Sequence, residues 1–166
     1  VERPLDRLDR KFGFGKYLNV ITDTQLERML AESGPSAGLI IRPFDGEVPA
    51  SIAFVQSYPK AAANMHQAAL CFAVNGAIQA SRKLPQAEVQ VLAGDLDEFR
   101  KTNHDELAKL DRLALMEASV SGVEELDNHS LKVTTGTNGA EESKVFDLVV
   151  LITQPQISKE LKDLTK

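Results

Sequence analysis

Ser57, Lys60 and Asn64 follow an apolar run, Ser51 to Gln56, where a strand passes into an alanine-rich helix. A hydroxyl, an ammonium and an amide gathered at a helix start are donors suited to an anion, and the positive helix end adds to the attraction. Asp95 follows the next apolar run, with Asp97 and Glu98 behind it. In a dinucleotide fold a carboxylate in that place takes the ribose hydroxyls, although acids at a helix start also serve as caps. Ser57, Lys60, Asn64 and Asp95 are therefore the candidate nucleotide-binding residues. The junction lacks glycine: Gln56-Ser57-Tyr58-Pro59-Lys60 stands where a G-x-G-x-x-G turn would let bare backbone approach a pyrophosphate. These residues predict a nucleotide site that has degenerated.

The other reactive side chains are isolated. Cys71 is the single cysteine, which leaves no partner for a disulfide and no thiolate set for zinc or an iron–sulfur cluster. Its place among alanines and Phe72 predicts a buried, inert thiol. His66 is read as part of a solvated polar face, and His104 and His129 as surface residues without a second ligand at metal spacing. No Ser-His-Asp set or H-E-x-x-H motif supports hydrolytic chemistry.

The elements that must position these residues are legible in the apolar pattern. The 166 residues, 43% of them hydrophobic, suit one domain with a substantial core. A net charge of -5, an aromatic content of 5% and no tryptophan argue against nucleic acid as a ligand. No apolar run reaches the roughly 20 residues that span a bilayer, so direct membrane insertion is not expected, and the cysteine usage points to a reducing cytoplasm.

Residues 1 to 20 read as an extended arm, and Thr24 with Glu27 as a capping box for a short helix that ends at Gly34-Pro35. Ala37 to Arg42 reads as a strand that either pairs with Ser51–Gln56 as a hairpin or joins a neighbouring sheet. A long helix follows from Ala61 to Lys83, with Met65, Ala69, Phe72, Gly76 and Ala80 on its apolar face and Leu70, Val74, Ala77 and Ile78 widening it. Ala87–Ala93 and Leu113–Val120 are the next strands, with a polar helical stretch between them. Turn chemistry at Asp127-Asn128 and Thr137-Asn138-Gly139 then predicts an antiparallel meander, and Val145–Ile152 a final central strand. The expected fold is α/β: a Rossmann-like three-layer domain with a central, mostly parallel sheet, helices on one face and the meander on the other. Residues 1–36 form an arm and short helix, 37–153 the Rossmann-like domain of NAD(P)H type, and 154–166 a tail.

Three phrases taken in order resemble a known family. They are Phe12-Gly-Phe-Gly-Lys-Tyr-Leu-Asn-Val-Ile-Thr22, Gly38-Leu-Ile-Ile-Arg-Pro-Phe-Asp-Gly46 and Ala53-Phe-Val-Gln-Ser57. The chain is similar over nearly its whole length to the A-subunit family of heterodisulfide reductases. That family includes the flavoprotein subunits of the quinone-interacting membrane-bound oxidoreductase that works with adenylylsulfate reductase. The resemblance implies an inserted NAD(P)H-like domain of a larger cytoplasmic protein whose FAD domain flanks it, and whose FAD and iron–sulfur clusters pass electrons to other subunits of a complex. Many members hold a four-iron cluster with a cysteine after the A-F-V-Q strand and paired cysteines in the following helix. Here those places carry Ser57, Ala69 and Leu70, so this segment is expected to bind no cluster and no cofactor of its own.

The expectation is therefore a non-catalytic domain that docks partners and packs on the flavin domain. Within it, Arg42 and Asp45 either position a flavin domain or partner subunit or form an ordinary surface turn. Two other readings stay open: NAD(P)H binding with hydride delivery to a flavin, and sensing of a small anion at Lys60.

Overall fold

The computed structural model describes residues 12–59, 63–110, 113–137 and 139–154. Strand β1 (Val20–Thr22) leads into helix α1 (Asp23–Leu30), followed after a long loop by β2 (Ser51–Gln56), α2 (Ala63–Lys83) and β3 (Glu88–Ala93). Two short helices, α3 (Asp97–Thr102) and α4 (His104–Leu107), precede β4 (Leu113–Glu117). Strands β5 (Ser119–Glu125), β6 (Leu131–Thr137) and β7 (Ala140–Phe146) then lead to β8 (Leu148–Ile152). β1, β8, β2, β3 and β4 form, in that order, a five-stranded sheet in which every pair is parallel. β5, β6 and β7 form a separate antiparallel meander. This is the Rossmann-like α/β architecture.

Alternation along the central strands divides the core. Ile52 and Phe54 of β2, Val89 and Val91 of β3, and Leu148, Val150 and Ile152 of β8 face the helices, where they meet Ala69, Ala73, Ala77 and Ala80 of α2. Ala53, Val55, Val149 and Leu151 face the opposite way and pack on Val120, Val123, Leu131, Val133 and Phe146 of the meander. Both faces being covered explains why β8 reads Leu-Val-Val-Leu-Ile with no polar break, since a strand buried on both sides has none to make. The small stripe of α2 lets its backbone approach the sheet closely. Lys144 of β7 donates a hydrogen bond to Glu88 at the start of β3, tying the meander to the sheet and holding the Glu88 carboxyl below its ordinary range.

Several elements differ from the pattern-based reading. Residues 12–20 are not an extended arm: Phe12 is buried in the meander-side core, and β1, from Val20, extends the main sheet by pairing with β8, while the expected short helix follows as α1. A three-residue strand is too short to show a period. The capping box of α1 is Thr22 with Gln25, each side chain bonding the other's backbone N–H, in place of Thr24 with Glu27. The two pairs share one spacing, but only Thr22, at the end of β1, has the extended backbone that an N-cap needs. Gly34 follows α1 where an added Cβ would fall 1.9 Å from the Arg28 carbonyl oxygen.

Ala37–Arg42 forms no strand; Ala37 and Gly38 take positive φ in a turn, and Leu39 to Arg42 are irregular. Leu113–Val120 is broken at Ala118, whose N–H reaches the Ala93 carbonyl, and the chain then crosses to the other sheet with a register shift between Val120 and Gly122. Val145–Ile152 is likewise divided at Asp147 between the two sheets.

Helix α2 buries His66, Ala69, Leu70, Ala73, Val74, Ala77 and Ala80. The buried face is thus rotated from the expected one, with Phe72 and Gly76 only half-buried and Cys71 exposed. Cys71 follows two inward residues and is carried by the 100° step per residue to the outer surface. Urea unfolding checks this phase: Ala77→Leu should cost about 1–3 kcal/mol through overpacking, whereas Cys71→Ala should change stability by less than about 0.5 kcal/mol. The reverse ranking would place the thiol inside.

Candidate functional site at the carboxyl edge of the sheet

Parallel α/β sheets bind ligands beyond the carboxyl ends of their strands, where backbone N–H groups emerge unpaired. Among the described residues, the N–H groups of Ser57, Gly94, Asp95, Leu96 and Thr153 at this edge are already bonded. At the end of β2, the Ser57 N–H and hydroxyl both donate to the Ile152 carbonyl, at 3.2 and 2.8 Å. At the end of β3, the Gly94 N–H donates to Gln56 Oε1 at 3.0 Å, while Gln56 Nε2 donates to the Tyr58 carbonyl, also at 3.0 Å. The N–H groups of Asp95 and Leu96 donate to the two carboxylate oxygens of Glu117, at 3.0 and 3.2 Å. At the end of β8, the Thr153 N–H and hydroxyl donate to the two oxygens of Asp23, at 3.1 and 2.7 Å.

A buried relay crosses the β2–α2 junction. His66 Nε2 lies 2.8 Å from the Gly94 carbonyl, which can only accept, so Nε2 carries the proton. The hydroxyl of Tyr58 lies 2.7 Å from His66 Nδ1, which accepts from it in the neutral ring. Burial first, and then the nearby charge of Asp23, push the Tyr58 phenol well above its ordinary pKa. Tyr58 is thus a donor across the working pH range.

The four sequence candidates are placed differently from one another. Ser57 and Asp95 come to the same edge, at the ends of neighbouring strands, but Ser57 is buried and engaged by β8, and Asp95 is exposed with a positive φ of 52°. Asn64 is exposed on the first turn of α2, where its Oδ1 accepts from the Met65 N–H. Lys60 lies outside the described residues. The acids after β3 do not provide the side-chain cap of α3; Glu117, from the end of β4, bonds the N–H groups there.

Arg42 and Asp45 sit at the opposite, amino edge, ion-paired at 3.4 Å, with Arg42 also 3.8 Å from Asp147. His66 is buried, not solvated. Its phase with Ala69, Leu70 and Ala73 on the helix was the signal that places it inward. Gln56, Tyr58, Asp23, Thr153 and Glu117 left no comparable sign, because their roles depend on partners from other strands.

The fit of a dinucleotide follows from this geometry. The N–H groups of Gly94, Asp95, Leu96, Ser57 and Thr153 have internal acceptors, so a pyrophosphate would have to displace those acceptors to bond them; residues 60–62, before α2, lie outside the described residues. An iron–sulfur cluster fits poorly, since Ser57 is bonded to backbone and Ala69 and Leu70 are core residues. Among the described residues, no group of three or more His, Cys, Asp or Glu side chains could hold a metal ion, and no helix is long and apolar enough to cross a membrane.

Fold and edge together define a Rossmann-like α/β domain with an internally bonded ligand edge. The chain aligns over 99% of its length with L-lysine 6-monooxygenase from Pseudomonas syringae, covering 47% of that chain with a TM-score of 0.58 and 14% identity. Lysine monooxygenase NbtG from Nocardia farcinica aligns over 89% of the chain and 41% of its own, with a TM-score of 0.51 and 13% identity. At such identities the likeness is one of fold.

The sequence carries the relationship further: the chain's curated homologues are the A-subunits of heterodisulfide reductases. The protein from Methanosarcina acetivorans is 31% identical over 155 residues, 87% of this chain. That from Methanothermobacter thermautotrophicus is 30% identical over 173 aligned residues, 96% of this chain, and that from Methanosarcina mazei is 45% identical over 65 residues, 37% of it. The matched segments are only 19%, 26% and 8% of those relatives, respectively. No protein-family model matches the chain.

Tyr58→Phe removes one donor from the relay and should cost about 1–2 kcal/mol at neutral pH. The raised phenol pKa means that its stabilisation is fully present below the ordinary value of about 10 and is lost as pH rises beyond it. Urea unfolding between neutral and strongly alkaline pH should therefore show a steeper decline for the native chain than for Tyr58→Phe. Equal slopes would remove Tyr58 from the buried network.

Proposed function

We propose that the chain is a non-catalytic, Rossmann-like domain of a larger heterodisulfide reductase A-like protein of the cytoplasm. That protein would carry FAD and iron–sulfur clusters outside this segment. The domain packs against the flavin domain and helps dock the other subunits of an electron-transfer complex. Among the possible settings, the adenylylsulfate reductase-associated, quinone-linked branch of sulfur metabolism suits a segment with Ser57 where a cluster thiolate would stand. Any membrane association then comes through a partner subunit.

One observation carries the reading: the N–H groups at the carboxyl edge already bond Gln56, Glu117, Asp23 and the Ile152 carbonyl. A hydride-delivering domain needs free donors for the dinucleotide phosphates at the first strand–helix turn, where Ser57 is already engaged by the Ile152 carbonyl. Ser57, Lys60, Asn64 and Asp95 are in this view the remnant of a nucleotide site. The layered core, in contrast, is complete on both faces of the sheet. Loss of a ligand edge within an intact core is what conversion from binding to packing leaves behind.

The alternative is a domain that still binds NAD(P)H and passes hydride to the flavin of the longer protein. The fold likeness to the lysine monooxygenases favours it, since the Nocardia farcinica protein contains an NADPH domain. Calorimetric titration separates the two. The packing role predicts no heat from NADH or NADPH at concentrations up to about 1 mM, equivalent to binding weaker than about -4 kcal/mol. Saturable binding below that range, weakened by Lys60→Ala, would establish the alternative. The purified 166-residue chain should also show no flavin or iron–sulfur absorbance, and a stoichiometric band of either kind would contradict the assignment.

A further inference from the structure

The amino edge of the sheet presents apolar side chains on a rigid frame. Leu18 is 60% exposed and Phe44 44% exposed, and Leu39 and Val48, on the same loop as Phe44, are 64% and 61% exposed. Such side chains on a slack loop would carry little meaning, but this loop is pinned. The fully buried Asn19 accepts from the Phe44 N–H at 3.1 Å and donates to the His129 carbonyl at 3.0 Å. The Phe44 ring stacks on His129 with centroids 3.6 Å apart. Arg42 closes the loop through its N–H to the Glu47 carbonyl and its carbonyl to the Gly46 N–H, both at 2.8 Å, and its guanidinium donates to the Asn128 carbonyl.

Beside Phe44 lies a groove of about 400 Å³ lined by Phe14, Tyr17, Leu18, Met29, Pro35 and Pro43. Arg28 reaches its rim, and the exposed Lys16 lies over the Tyr17 ring at 5.1 Å.

We infer that this groove and the Phe44 loop form the face on which the domain docks to the flanking part of its own longer polypeptide, through an apolar wedge with a polar border. The inference rests on the reading of the chain as one domain of a larger protein, and adds to it the surface and the chemistry of the occupant. Three observations select that occupant. The segments matched in the relatives are 19% and 26% of their length, so most of such a protein lies outside this domain and is available in cis. The groove has room for a few large apolar side chains, and preorganised apolar anchors surrounded by polar rims are how stable interfaces concentrate their energy. The face carries both signs of charge, Arg28 at the groove and the exposed Asp45 and Glu47 beside Phe44, which suits a polar rim of mixed charge around the wedge.

Hydroxyl-radical footprinting read by mass spectrometry tests the face directly, comparing this 166-residue chain with the complete polypeptide its gene encodes. Oxidation of Leu18 and Phe44 should fall by roughly fivefold in the complete polypeptide, as for residues moved from solvent into an interface core. Met116 and Val145, 46% and 47% exposed on other strands, should label equally in both. Leu18→Asp should restore Phe44 labelling in the complete polypeptide while shifting the Tm of the 166-residue chain by less than about 2 °C. Unchanged labelling of Leu18 and Phe44, or protection at Met116 and Val145 instead, overturns the docking face and leaves the parent reading standing. A reading frame with no flanking domain overturns the parent reading, and the occupant with it.

Discussion

Backbone N–H groups at the end of a parallel sheet must find acceptors, and in this domain they find them in side chains of the same chain. Gln56 spans from β2 to Gly94, Glu117 reaches from β4 to the start of α3, and Asp23 crosses from α1 to Thr153. The Tyr58–His66–Gly94 relay does the same between β2, α2 and β3. Leaving the buried Ser57 and Thr153 donors without a partner would cost on the order of 1–3 kcal/mol, so those bonds resist opening. A single constraint therefore links the ends of β2, β3, β4 and β8 at this edge.

The rest of the structure transmits that arrangement. The central strands alternate between an alanine-lined helix and a meander, and the two cores fix the sheet from both sides. Close approach of α2 brings His66, in the second turn of the helix, within reach of Gly94. The break at Ala118 lets β4 end with Glu117 at the edge while β5 crosses to the other layer. At the amino edge, Asn19 bonds the Phe44 N–H and Arg42 pairs with Asp45, which fixes the loop there.

Much of the layering could be read from sequence because its signal is local. Ser51–Gln56 and Ala87–Ala93 are short apolar runs bounded by turns, and the meander carries its Asn and Gly punctuation. The failures have local causes as well. β1 has three residues, too few for a period to emerge, and Ala37–Arg42 is apolar enough to read as a strand although its backbone bonds run to the neighbouring loop residues Gly34, Ser36, Gly46 and Glu47. The missing glycine at the β2–α2 junction was visible, but what replaces it was not. Glu117 lies 22 residues beyond the Asp95 N–H it accepts, and Asp23 lies 130 residues from Thr153. No spacing rule links such pairs before the topology is known. Cys71 was misplaced because the apolar content of α2 was read without fixing the phase of its buried face.

The central claim is that the carboxyl-edge amides are occupied from within, and amide chemical-shift titration reports on those atoms. With the 166-residue chain and ADP-ribose at up to about 5 mM, the signals of Ser57, Gly94, Asp95, Leu96 and Thr153 should remain in place, and their hydrogen exchange should remain slow. Saturable movement of those five signals, with the Gly94 and Asp95 amides changing most, would show a working phosphate cradle and contradict the account.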